Sequence, residues 1–168
     1  MSNAAFVVLA AGLAAATIID LKSRRIPNVL TGSMAALGVG LAALGANGPS
    51  MAASLLGIFI GLLVMMPGYL LGATGAGDVK LMAAVGAIVG PVLVIPAFLF
   101  TCIAGGALAV VVAVRRNRLG ATLAKTGQLV TAPRGAHEQI RSATSVSRFA
   151  YGPAIAAGTM VAVLMMRS

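Results

Sequence analysis

Asp20 and Asp78 are the two aspartates of the chain, and each stands at the edge of a long apolar stretch. Asp78 closes a glycine turn, Gly75-Ala76-Gly77-Asp78. Carboxylates are costly in or beside hydrocarbon, so those that persist there tend to line a functional path and to have a partner. Here each is the natural partner of the other. The chemistry that calls for such a pair is aspartic proteolysis. Two close carboxylates cannot both ionise cheaply, so one keeps a proton. The ionised one takes a proton from water as it attacks a peptide carbonyl, while the protonated one hydrogen-bonds the carbonyl oxygen. This needs no metal, and the ligands for one are sparse: one His, one Cys, one Glu and no His-x-x-x-His.

The elements that must position this pair are membrane helices. Of 168 residues 60% are hydrophobic and 9% charged, against about 25% charged in an ordinary soluble domain. Glycine is abundant and Trp absent, which suits a compact bundle of closely approaching helices. Taking about 20 apolar residues per crossing, the expected fold is an all-α polytopic membrane protein of about six helices. The expected spans lie near 4–19, 29–44, 51–71 and 149–166, with two more from dividing residues 79–114 at Gly90-Pro91. Asn47-Gly48-Pro49 signals a turn between the second and third. The N-terminal apolar stretch lacks a preceding positive region, and its basic cluster follows it, so it reads as a retained span rather than a cleaved leader. The whole of 1–168 reads as one domain, with a basic cytoplasmic loop at about 115–148 that also holds His137 and Glu138.

Charge tests this topology. The net charge of +9 could suggest nucleic acid, but the cations fall in short clusters between apolar segments, as beside anionic lipid. With six spans and a cytoplasmic Lys22–Arg25 loop, every Lys and Arg except Arg167 lies inside, and both aspartates lie on that same side. One length is awkward. From Val79 to Gly90 a helix is about 18 Å long, short of a hydrocarbon core of about 30 Å. The preferred resolution puts Asp78 below the membrane surface, in a cavity lined by water or protein.

Each motif also has a plainer reading. The stretch Gly72 to Lys80 is not a phosphate loop, because Asp78 stands where the Walker pattern needs Lys. Gly75 and Gly77 are expected to supply positive φ and room for another backbone, such as an extended substrate. Alternatively they only bend the chain and Asp78 caps the next helix. Asp20 could pair with Lys22, Arg24 or Arg25 in a solvated loop. Lys80, about 200° from Asp78 on a helix, is with Arg25 and Asn28 a candidate contact for headgroups or an acidic part of a substrate. Cys102, inside an apolar run, reads as a buried small side chain, and the nine methionines as packing or lipid-facing residues.

Three motifs carry a family resemblance. Asp20-Leu21-Lys22-Ser23-Arg24-Arg25-Ile26-Pro27-Asn28 and Gly75-Ala76-Gly77-Asp78-Val79-Lys80-Leu81 resemble the two active-site motifs of type IV prepilin peptidases. Tyr151-Gly152-Pro153-Ala154 resembles the short motif that opens the last helix there. The resemblance spans nearly the whole chain and implies Asp20 and Asp78 as the catalytic pair, supported by Gly75 and Gly77. It implies a pilin-like precursor with a basic leader, cut at the cytoplasmic face of a bacterial inner membrane. The Arg-Ile-Pro-Asn form is most similar to the small peptidases of tight-adherence (Flp) pilus systems. The larger members carry a cysteine-paired cytoplasmic domain and N-methylate the new terminus. This chain has neither the domain nor the cysteines, so neither methylation nor a cofactor is expected. Two rivals belong to other classes: a proton-coupled carrier, and a pilus assembly component that holds pilins without cutting them.

Overall fold

The computed structural model describes residues 1–46, 49–115 and 151–167. The expected 115–148 loop lies outside these apart from Arg115, as do Glu138, His137, and Asn47 and Gly48 of the expected turn. The described residues are helical throughout: α1 (Asn3–Ser23), α2 (Asn28–Ala43), α3 (Met51–Leu70), α4 (Ala76–Arg115) and α5 (Gly152–Arg167). They form five helices where six spans were expected, because 76–115 runs on with one interruption. That interruption is Gly90, at φ 79 and ψ 178, a conformation that glycine adopts at little cost. It falls at the Gly90-Pro91 break read from the sequence. The stretches Asn3–Ser23, Met51–Leu70 and Ala76–Val111 are long and apolar enough to cross a membrane, and α2 and α5 are apolar but shorter.

Caps set where the helices stop. Ser2 and Ser50 each accept a hydrogen bond from an amide three residues on, Ala5 and Ala53, starting α1 and α3. Gly72 ends α3 at φ 75, with its N–H on Tyr69 O and the next N–H, of Ala73, on Gly68 O. Gly45 ends α2 in the same way. Arg24 closes α1 in the left-handed region at φ 51, which turns the chain sharply into Arg25 and Ile26.

Packing runs opposite to that of a soluble protein. On α3 the buried residues are Ser54, Gly57, Gly61 and Met65, while Leu55, Leu56, Phe59 and Leu63 are exposed. Small residues face inward because they let helix backbones meet; large apolar ones face outward because the surroundings are apolar too. Gly57 and Gly86 lie face to face, so that a Cβ on either would strike the other's carbonyl. Ser54 Oγ donates to Ala87 O across the same seam at 2.6 Å. Gly38 of α2 also packs closely, since a Cβ there would meet Ala87 and Ile88 at 2.9 Å. The same logic corrects the reading of Cys102, which is exposed. An apolar run in such a bundle does not tell inside from outside.

The first segment of α4 is the centre of the bundle. Every residue from Leu81 to Gly90 is buried, and Leu81, Met82, Val85 and Ile88 are wholly so. In the helix of residues 76–89, about 21 Å long, everything from Leu81 on is therefore surrounded by protein, while Ala76 and Lys80 near its start are exposed; such enclosure is what an element too short for the hydrocarbon needs. Beyond Gly90 the chain returns: Gly105 packs on Tyr151 and Thr101 on Gly158 of α5.

Candidate active site

Asp20 lies in the last turn of α1 and is only 5% exposed. Its Oδ2 accepts a hydrogen bond of 2.8 Å from the Gly152 N–H, the first residue of α5. The neighbouring cations Lys22, Arg24 and Arg25 are exposed. Asp20 is thus turned into the bundle, which is not the solvated loop pairing considered above.

Asp78 lies in the first turn of α4 and is 8% exposed. Its Oδ2 accepts from the Gly75 N–H at 2.9 Å, while Val79 N–H bonds Gly75 O. Gly75 is therefore the residue at the cap, and Asp78 reaches back to it from the third helical position, as the acid of a capping box does. So the capping reading holds in this reversed form, without removing the carboxylate from the site. The charges of Asp20 and Asp78 lie within reach of each other, although 58 residues separate them.

The glycines act differently from expectation. Neither Gly75 nor Gly77 has positive φ; the residue that does is Gly72, which closes α3. What Gly77 provides is space: a Cβ there would meet Ile26 Cβ at 3.2 Å. A Cβ on Gly75 would meet Asp78 Oδ2 at 3.3 Å. Gly77 thus lets the buried Ile26 of the first motif lie directly on the second. One residue beyond Val79, Lys80 Nζ donates to Asn28 Oδ1 at 2.9 Å, a further link between the two motifs. Arg25 is exposed on the α1–α2 turn, where its carbonyl accepts from Ser23 Oγ at 3.1 Å. Two buried carboxylates on different helices, with their motifs joined by the Ile26–Gly77 contact and the Lys80–Asn28 hydrogen bond, make an arrangement that could activate a water against a peptide carbonyl.

A family model described as the type IV leader peptidase family matches residues 7–110. The chain belongs to the type IV leader peptidase family. That match includes both aspartates, Ile26, Asn28, Gly75, Gly77 and Lys80, and stops before Tyr151. Membership of this family makes the protein a membrane peptidase that acts on prepilin-like substrates in general terms. No curated protein and no solved structure matches the chain.

The role of Gly152 was not read from the sequence. Its motif was singled out only as a helix opener. A glycine before a proline at a helix start was the available signal, since a missing side chain there leaves room for a neighbour. That neighbour is the Asp20 carboxylate, 2.9 Å from where a Cβ would stand.

Proposed function

We propose that this leader peptidase is a membrane-embedded aspartic endopeptidase that removes the basic leader from type IV, Flp-like prepilins. The observation that carries the reading is the pair of buried carboxylates, Asp20 and Asp78, each anchored through one oxygen by a backbone amide at a helix terminus. In this reading α4 crosses as two segments about Gly90, giving six crossings. The cytoplasmic face of a bacterial inner membrane then carries both aspartates, in line with the one-sided distribution of Lys and Arg. One carboxylate removes a proton from water as the water oxygen bonds to the scissile carbonyl carbon. The other, protonated, donates to the carbonyl oxygen as it gains charge. Collapse of that adduct breaks the C–N bond, and the proton taken from water passes to the departing amine. Lys80, Arg25 and Asn28, exposed on the two motifs, are the candidate contacts for substrate or headgroups, and the chemistry calls for no cofactor.

The test is co-expression with an Flp-type prepilin, followed by the gel shift of its mature form. Asp20→Asn and Asp78→Asn, at wild-type membrane levels, are each expected to abolish processing. Processing that survives either change sinks the aspartic reading. It would bring forward a proton-coupled carrier, to be examined with a pH-sensitive dye, or an assembly component that only holds pilins.

A further inference from the structure

We infer that the Tyr151-Gly152 turn is the positioning element for Asp20, with the Gly152 N–H as the group that holds its carboxylate in place. The inference rests on the aspartic reading above and adds to it a residue outside the two aspartate motifs.

The argument begins with where each acid stands on its own helix. Asp78 is in the first turn of α4, where the partial positive charge of a helix N-terminus favours a carboxylate. Asp20 is in the last turn of α1, where the partial negative charge opposes one. Its own helix therefore holds Asp20 poorly. The first turn of α5 supplies what is missing, an N-terminal amide aimed at Oδ2 from 2.8 Å.

The turn is built for this. Tyr151 O accepts from Ile155 N–H, so Tyr151 caps α5 and Gly152 is its first helical residue. The amide at that position has no partner within the helix, and here it is spent on Asp20. Glycine is needed because a Cβ would lie 2.9 Å from Asp20 Oδ2 and 3.0 Å from Asp20 Cβ. Tyr151 in turn rests on Gly105, where a Cβ would meet its hydroxyl oxygen at 2.7 Å. Thus the clamp on Asp20 is braced against α4, the helix that carries Asp78.

Two substitutions act on the Gly152 amide to different degrees. Gly152→Ala and Gly152→Pro add the same Cβ, and proline, which suits a first helical position, also replaces the N–H by a ring carbon that takes the place of the Asp20 carboxylate at the amide. A hydrogen bond to a charged group is worth about 1.5–3 kcal/mol, or roughly 10- to 100-fold. Gly152→Pro is expected to lower kcat for prepilin cleavage about 10- to 100-fold below Gly152→Ala, with KM within about 2-fold. A merely structural lesion would reduce the amount of active enzyme and leave the single-turnover rate of the folded fraction in place. Gly105→Ala, whose nearest neighbour is Tyr151, is expected to lower kcat in the same direction by a smaller factor.

Hydrogen exchange at the Gly152 amide reads the bond without altering the turn. The amide is expected to exchange faster in Asp20→Ala than in wild type, and equal exchange would overturn the inference whether or not the Gly152 variants fold. So would Gly152→Pro with the kcat of Gly152→Ala. If Asp20→Asn still processes prepilin, it is the aspartic reading that fails. If Asp20→Asn is inert and Gly152→Pro is indistinguishable from Gly152→Ala, the positioning inference alone fails.

Discussion

On the aspartic reading proposed above, Asp78 does two things at once, and substitution can separate them. As a cap, its carboxylate bonds the Gly75 N–H at 2.9 Å. Losing a helix cap costs about 1 kcal/mol, a factor of about five in the folding equilibrium. A domain stable by several kcal/mol would remain almost wholly folded after that loss, so capping alone cannot account for more than a small drop in activity. As an acid or base, by contrast, the same carboxylate would contribute about 10²- to 10⁴-fold to the rate. Asp78→Asn keeps an acceptor oxygen for Gly75 and removes the ionisable group. Asp78→Ala removes both. The expected outcome is that Asn unfolds close to wild type and Ala at somewhat lower temperature, while both lose at least 10²-fold in prepilin cleavage. Thermal unfolding in detergent and single-turnover cleavage of purified precursor would be measured side by side. Should Asn retain a tenth of the wild-type rate, or should the two activities follow the two stabilities, Asp78 is a cap and the chemistry lies elsewhere.

Three further outcomes follow from the packing. Gly77→Val is expected to displace Ile26, which a Cβ would already meet at 3.2 Å, and to slow cleavage more than Gly77→Ala; equal rates for both variants and wild type would contradict the contact. Gly57→Ala is expected to force α3 and α4 apart, since its Cβ would overlap the Gly86 carbonyl. Overpacking against backbone costs about 1–3 kcal/mol, and an unchanged unfolding temperature would rule out that seam. Gly90→Ala should destabilise by about 1–3 kcal/mol, the cost of a side chain at an extended positive-φ position that is essentially restricted to glycine, with the cleavage rate of the folded fraction unaltered. A loss of rate at full stability would mean that the break at Gly90 shapes the site as well as the helix.

Much of this was legible in the chain before any coordinates. Two aspartates in so apolar a setting stand out by cost alone, and Gly90-Pro91 marks a break in a stretch too long for one helix. The glycine turn was harder. Gly72, Gly75 and Gly77 look alike in sequence, yet one closes a helix at positive φ, one caps the next and one makes room for Ile26. Glycine signals that a side chain is unwelcome without saying whether dihedral or neighbour forbids it. The hold on Asp20 was harder still. It comes from a main-chain amide 132 residues away, and a main-chain group carries no residue-type signature. The exposure of Cys102 escaped for a different reason, since lipid-facing and core-facing surfaces are both apolar and a small side chain such as cysteine suits either.

The burial of every residue from Leu81 to Gly90 separates the candidate site from the dimensions of the bilayer. A helix whose ends meet lipid must answer a change in hydrocarbon thickness by tilting, or by stretching or thinning the lipid around it. α1 and α3, with 21 and 20 residues, are long enough to take up that adjustment. The stretch from Leu81 to Gly90 that follows Asp78 meets protein on all sides, so its depth is set by the glycine seams that grip it. Moved between membranes of different thickness, the bundle would tilt as a body around its carboxylates, and their spacing would travel with it.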